Sequence, residues 1–415
     1  MATGTFAPVS GAERIGAVDI LRGFALFGII AANMRGFNYP AEAYLAPHVI
    51  AYSLPDRIAQ TLVDVFISGK FITIFACLFG IGFAIQMDRA ASRGARFGRF
   101  YSRRLFILLL LGLGHGLLLW WGDILAPYAL TGFLLLLFRK RRQKTLLIWA
   151  IALSLAPAAL LAGFAVLSSY GIQMPAPPDP TREVLDSSVR IYSQGAWLEI
   201  QQKRVEDWIM LNKGALFFWV GFVLSRFLFG LWLWRTGFIQ RIASEQALLR
   251  RVCVWGIFIG VVGNVAGTAI LLIYESQFSK PDVPLVVAQA ILTVAVPLLS
   301  AGYAAGIALF SVNGGWRWLL RGFDAIGRTA LSNYLLQTVL CTTLFYSYGL
   351  ALFGKVGPLL GLVPTAAIYA FQLWASAWWV DRFRFGPVEW LWRSLAYARF
   401  QPMRLEMARA AGMKS

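Results

Sequence analysis

The chain has 415 residues, of which 58% are hydrophobic and 14% charged, and its formal net charge is +18. A soluble domain of this length carries about 25% charged residues, so a soluble globular protein is excluded. The positive balance does not point to nucleic acid, because the basic residues collect in short links between apolar runs, which is how membrane topology is encoded.

Apolar runs long enough to cross a bilayer as helices recur along the whole chain. The expected fold is all-α, a polytopic transmembrane bundle of about ten spanning helices. Their cores are predicted at 17–34, 70–87, 104–121, 124–138, 145–168, 211–231, 252–273, 285–310, 327–350 and 358–380. The first run lacks a small-residue cleavage site after it and reads as a retained helix. Four stretches organise the chain: helices one to five over 1–170, an extracytoplasmic loop over 171–210, helices six to ten over 211–380, and an amphipathic cytoplasmic tail over 381–415.

The first helix reads DILRGFALFGIIAANM. Asn33 follows Arg22 by eleven residues, almost three turns, so the two share a face about 16 Å apart. They form either a polar seam lining a cavity, with Arg22 holding an anionic group, or a local Asp19–Arg22 pair plus a packing asparagine. His48 follows Pro47 in an outer loop and reads as a surface residue. The stretch 53–70 is amphipathic and contains Ser68-Gly69. It predicts a short outer helix, a break, and then the second spanning helix, with Lys70 at the outer boundary.

Arg103 to Lys144 forms the clearest pattern: two apolar runs fenced by basic clusters and joined by a tight link with Gly122 and Asp123. This is a membrane helical hairpin. It places His115 inside the apolar region, where an ionisable group is costly and marks a candidate functional site. Gly112, Gly114 and Gly116 allow close helix approach. Histidine changes protonation near neutral pH and suits proton transfer. His115 is therefore a candidate catalytic base with Asp123 as its orienter. The alternative is a structural histidine bonded across helices, with Asp123 capping the next helix.

The link at 171–207 begins proline-rich. Its later part, Glu183 to Asp207, reads either as helix capping an outer cavity or as a solvated loop. Arg226 lies deep in SRFLFGLWLWR, facing an anionic ligand or snorkelling to the surface. Asn333 and Gln337, four apart on one helix face, line a wet cavity or clasp another helix. Glu389 and Arg393, also four apart, read as an intrahelical pair. The tail segment WLWRSLAYARF suits a cytoplasmic surface. The three cysteines show no CxxC spacing, so neither a disulfide framework nor a metal site is expected. No P-loop, GxSxG or HExxH motif is present.

With the N-terminus inside, the predicted inner segments hold 26 basic residues and the outer links 9, which predicts both termini cytoplasmic. No sequence repeat relates the two halves, which weakens an inverted-repeat transporter.

Several segments together resemble the YeiB family of bacterial inner-membrane proteins, which carries a domain of unknown function. They are DILRGFALFGIIAANM, KFITIFACLFGIGFAIQ, GLGHGLLLWWGDILAPYALTGFLLLLFR, FGLWLWRTGF, GRTALSNYLLQT and FGPVEWLWR, in the family's order over nearly the whole chain. The resemblance implies a multi-pass protein of the bacterial inner membrane. That family in turn resembles the transmembrane acyltransferase superfamily, which includes sugar O-acyltransferases and the lysosomal heparan glucosaminide acetyltransferase. Those enzymes pass an acyl group from cytoplasmic acyl-CoA to an acceptor beyond the membrane. In the O-acyltransferases the first helix carries an arginine and, eleven residues on, a histidine. Arg22 matches, whereas Asn33 stands at the histidine position, which leaves His115 to supply the base. The lysosomal relative uses a histidine beyond the first helix, which makes His48 a second candidate.

The resemblance thus implies acyl transfer from acetyl-CoA or another acyl-CoA to a hydroxyl or amine of a small molecule, glycan or lipid. Arg22 and Arg226 are the candidate contacts to the CoA donor. Arg22, Asn33, Asn333 and Gln337 are the candidate substrate contacts, and Asn33 is a donor to the developing oxyanion. The competing class is a transporter or lipid-handling protein whose polar seam lines a path. A third is a non-catalytic membrane partner. The lipid bilayer is the expected surrounding, no nucleic-acid partner is expected, and packing glycines in most helices leave a homo-oligomer open.

Overall fold

The computed structural model describes residues 16–46, 49–94, 97–170, 179–274 and 283–405. His48, the start of the proline-rich link and the end of the tail lie outside them. The described chain is helical, and its one β-type pairing is an isolated bridge between Phe383 and Arg404. In order the helices are α1 (Gly16–Asn38), α2 (Ala41–Leu45), α3 (Leu54–Phe66), α4 (Lys70–Ser92) and α5 (Phe97–Leu118). There follow α6 (Leu125–Leu135), α7 (Gln143–Ser169), α8 (Arg182–Gln194), α9 (Trp197–Arg235) and α10 (Gln246–Ile273). The last five are α11 (Val283–Val312), α12 (Arg317–Arg328), α13 (Ala330–Phe345), α14 (Pro358–Val380) and α15 (Pro387–Tyr397).

Seven segments among the described residues are long and apolar enough to span a membrane: α1, α3 with α4, α5, α7, α10, α11 and α14. An eighth appears if the halves of α9, bent by 69° between Lys213 and Phe218, count as one span. This is a multi-pass membrane protein with fewer full spans than the ten expected. The expected helix at 124–138 is α6 plus one 3-10 turn at Leu136–Phe138. Fourteen residues rise only about 21 Å, short of a hydrocarbon core of about 30 Å. The expected helix at 327–350 is also shortened, because the chain breaks at Thr329 and α13 runs for 16 residues.

The exposed faces of the long helices are apolar. Trp149 and Ile151 on α7, Val254, Trp255 and Phe258 on α10 and Trp374 on α14 are all exposed. In lipid such residues gain nothing by packing inward, and helix association rests on close backbone approach. A Cβ on Gly327 would lie 1.8 Å from the Asp19 carbonyl oxygen, and one on Gly23 would lie 2.0 Å from that of Phe323. Those two glycines let α1 and α12 touch.

The predicted break before the second spanning helix is present. α3 ends at Phe66, Gly69 takes φ +81°, and α4 starts at Lys70. The left-handed backbone there favours glycine. Lys70 is sealed, its ammonium donating to the Asp64 carbonyl at 2.6 Å. In the long link, the part from Arg182 onward is helical and forms a cap of α8 and the first half of α9. Tyr192 and Ile200 of the cap are fully buried.

Candidate functional site

The hairpin at Arg103–Lys144 does not reach straight across and back. α5 ends at Leu118, and six residues fold back before α6 begins. The turn is irregular backbone inside protein, which is tolerated only when its polar groups find partners. They do. Leu119 and Trp120 N–H groups donate to the His115 carbonyl at 3.0 and 2.9 Å. Arg204 of the cap donates to the Leu118 carbonyl at 2.5 Å, and Gln201 donates to that of Leu117.

This fold-back brings Asp123 onto His115. The imidazole Nδ1 lies 2.8 Å from Asp123 Oδ1, and the two side chains are 1% and 0% exposed. The same carboxylate accepts the backbone N–H of Leu125 at 3.0 Å and of Ala126 at 2.7 Å. Both sequence readings of Asp123 are therefore realised together: it caps α6 and it holds the histidine. The other nitrogen, Nε2, lies 2.9 Å from Thr338 Oγ1 on α13. Carboxylate, imidazole and hydroxyl stand in line, across three segments of the chain. The Tyr334 ring packs 5.0 Å from the imidazole, and its hydroxyl donates to the Gly122 carbonyl at 3.4 Å.

Below this cluster lies a cavity of about 260 Å³. Five arginines line it, Arg22, Arg89, Arg104, Arg328 and Arg393, against the two carboxyls of Asp19 and Glu389. Deeper in, its wall is apolar, with Phe75, Phe79, Leu105, Leu108 and Tyr128, and it ends on Leu125 and Tyr334. The Nε–H groups of Arg328 and Arg393 are buried without an acceptor. Burial and the neighbouring Arg104 charge pull the Arg393 guanidinium down to about 10. An anion in the mouth of the cavity would relieve both costs.

On the far side of His115 the structure is closed. Trp120 donates its indole N–H to the Gly36 carbonyl at 3.0 Å and stacks on Phe37 at 4.0 Å. Above it, Lys203 bridges Glu42 at 2.6 Å and Asp207, and the Tyr192 hydroxyl donates to Asp207 at 2.7 Å. Burial and the Asp207 charge beside it push the Tyr192 phenol well above its ordinary range.

The other sequence candidates are placed as follows. Arg22 lines the cavity and also pairs with Asp19 at 2.6 Å. Asn33 is half-buried and does not line the arginine cavity. Asn333 and Gln337 clasp α14: Asn333 donates to Ser376 at 2.9 Å and Gln337 to Gln372 at 2.9 Å. Neither lines the cavity. Arg226 is buried among Ser154, Ser225 and the Phe222 ring, also away from the cavity. Glu389 does not form the expected intrahelical pair with Arg393. It accepts the backbone N–H groups of Leu331 and Ser332 at 2.6 and 3.1 Å, because the break before α13 leaves those donors open. The tail helix that carries it is docked by Trp392, which donates to the Arg104 carbonyl at 2.9 Å. Thr338 and Tyr334 were not singled out from sequence, whereas Arg104 and Arg328 belong to the inner-link arginines expected near the CoA phosphates. A lone threonine in an apolar run gives no signal of its own.

Residues 233–399 match the family described as "Protein of unknown function (DUF418)". The chain is 34% identical over 94% of its length to "Uncharacterized protein YxaH" of Bacillus subtilis (strain 168), covering 96% of that protein. It is 31% identical over 92% of its length to "Uncharacterized protein YeiB" of Escherichia coli (strain K12), covering 96% of it. It is also 30% identical over 96% of its length to an uncharacterised 39.9 kDa protein from the amylase 3′ region of Bacillus acidopullulyticus, covering 98% of it. The DUF418 segment contains Thr338, Arg328 and Glu389, whereas His115 and Asp123 precede it. These three relatives each span more than nine-tenths of the chain.

Proposed function

The chain belongs to the YeiB-like family of bacterial membrane proteins that carry the DUF418 segment, and on that premise we propose that it is an acyltransferase working across the membrane. The donor is an acyl-CoA that enters from the arginine end, taken here as the cytoplasmic face of the inner membrane. The observation that carries this reading is the shape and charge of the cavity. Five arginines surround its mouth, apolar side chains form its shaft, and its floor is one ring away from His115. CoA is a polyanion joined to an acyl group, and each part finds its complement in that order. The phosphates meet Arg22, Arg104, Arg328 and Arg393, where planar guanidinium groups favour phosphate. The acyl chain lies along Phe75, Phe79 and Leu108.

His115 then acts as the base. Asp123 holds its ring, and Nε2 takes the proton of the hydroxyl or amine that attacks the thioester carbonyl. The carbon–sulfur bond breaks, and the proton passes from the imidazole to the leaving thiolate. The acceptor is a hydroxyl or amine of a small molecule, glycan or lipid. A permeation path finds less support: the cavity ends at Tyr334, and the next layer holds Trp120 and Phe37 under the α8–α9 cap.

The test is transfer from labelled acetyl-CoA by the purified protein in detergent or proteoliposomes, offered a panel of sugars, lipids and amines. His115→Ala should abolish transfer while leaving CoA binding intact. No CoA binding by titration calorimetry, together with solute accumulation in proteoliposomes, would favour transport instead.

A further inference from the structure

We propose that Thr338 is the primary acyl acceptor, a nucleophile that carries the acyl group as an ester between the two substrates. The proposal rests on the acyl-CoA reading above and replaces its direct attack on the thioester with two transfers through Thr338. It begins with the direction of two hydrogen bonds. Both oxygens of Asp123 already accept backbone N–H bonds, from Leu125 and Ala126. The carboxyl is thereby held as an acceptor, and Nδ1 of His115, 2.8 Å away, must bring the proton. In the neutral ring Nε2 then carries a lone pair. In that tautomer the Thr338 hydroxyl, 2.9 Å from Nε2 and 3.5 Å from the Tyr334 carbonyl, can give its proton to the imidazole. A hydroxyl giving its proton to an imidazole whose far side is pinned by a carboxylate is the arrangement that activates an alcohol for attack on an acyl carbon.

The closure of the site gives this hydroxyl a purpose. The cavity is lined from the arginine end and stops at Tyr334. Thr338 lies one helical turn beyond Tyr334 on α13, about 6 Å along its axis. Beyond it the cap seals the opposite end, through Arg204 and Gln201 bound to the last carbonyls of α5. The lining of the arginine cavity includes neither His115 nor Thr338. A hydroxyl beyond its floor, next to the imidazole, lets one acyl group wait there for its acceptor. Tyr334 stands between the cavity and Thr338, with its hydroxyl bonded to the backbone of Gly122 and Ile124.

The chemistry balances in two steps. Thr338 Oγ1 attacks the thioester carbonyl as its proton moves to His115 Nε2. The carbon–sulfur bond breaks, and CoA leaves as the thiol with that proton. An acceptor hydroxyl or amine then attacks the threonyl ester and gives its proton to Nε2. The ester bond breaks, and Thr338 recovers the proton. Asp123 is a positioning residue throughout.

The experiment is acetylation by acetyl-CoA without added acceptor, followed by intact mass and peptide mapping, with CoA binding measured on the same samples. Wild type and Thr338→Ser should carry one acetyl group on the peptide containing position 338. Thr338→Val, which keeps the shape and removes the hydroxyl, and His115→Ala should lose it by about 100-fold or more while still binding CoA and melting near the wild-type temperature. The peptide also holds Cys341, buried three residues away. An acetyl group on Cys341, released by hydroxylamine as a thioester, would overturn the proposal. So would Thr338→Val transferring acetyl to an acceptor at the wild-type rate. Failure of the wild type to bind CoA would overturn the acyl-CoA reading itself and this proposal with it. CoA binding and transfer without a threonyl ester would leave that reading standing and remove Thr338 alone.

Discussion

Glu389 closes the N-terminus of α13, accepting the backbone N–H of Leu331 at 2.6 Å from 58 residues further along the chain. The same carboxyl takes the Ser332 N–H and hydroxyl. One residue of α15 thus fixes where the helix bearing Asn333, Tyr334 and Thr338 begins. Glu389→Ala leaves buried donors without an acceptor, a loss expected to be about 2–3 kcal/mol. A thermal melt in detergent reads it directly. Glu389→Gln, which keeps an acceptor oxygen, should recover most of the difference.

The same residue gives a pH signature. Burial raises the Glu389 carboxyl above its ordinary value of 4.5. The folded state therefore binds more protons there than the unfolded chain. That contribution is fully present below about pH 4.5 and is lost as pH rises through the raised value. Melting temperatures of wild type and Glu389→Gln, compared from pH 4 to pH 8, should show wild type losing ground as pH increases. A flat difference across that range would contradict the sign.

Asp123→Asn separates capping from catalysis. Asparagine caps helices as well as aspartate does, so α6 should stay formed and the melting temperature should change by only a few degrees. The amide can instead donate to Nδ1, which moves the imidazole proton to Nε2, where it can no longer accept from a hydroxyl. Acyl transfer should fall by about 10²–10⁴-fold, with CoA affinity unchanged. An equal fall in stability and activity would mean that Asp123 is only a cap.

The arginine mouth predicts salt-dependent binding. Arg328→Gln and Arg393→Gln should each weaken CoA about tenfold, the cost of one charge-assisted contact of about 1.4 kcal/mol. Each should also flatten the dependence of affinity on ionic strength. Arg226→Gln, at a residue that does not line the cavity, should leave CoA affinity as it is. Isothermal titration at two salt concentrations checks all three.

Much of this site could be read from the chain before its fold was known, and the unread part has a common cause. His115 and Asp123 stood out because a histidine and an aspartate in an apolar hairpin need a reason. The break at Gly69 followed from local pattern, while for the long link local pattern left helix and solvated loop open. Thr338 stayed hidden because its meaning comes from a histidine 223 residues earlier. Glu389 was paired with the wrong neighbour for the same reason: four-residue spacing suggested Arg393, while the open donors of α13 lay on another helix. The arginines of the cavity come from α1, α4, α5, α12 and α15, and only folding brings them to one mouth. At α6 and α13 the apolar runs were longer than the helices they form.

The shortness of α6 bears on biogenesis. A returning segment of eleven residues and one turn cannot hold itself across a bilayer, so α5 and α6 must enter the membrane as one piece with Asp123 at the buried tip. Until Gln201 and Arg204 have been synthesised, some eighty residues later, the carbonyls of Leu117 and Leu118 have no donors. The nascent chain therefore carries an unfinished polar tip through the insertion of α7. It becomes a closed cluster only when α8 and α9 have been made. A protein ending between Ser169 and Gln201 should be inserted and then cleared by membrane quality control, and pulse-chase turnover of such truncations measures that interval.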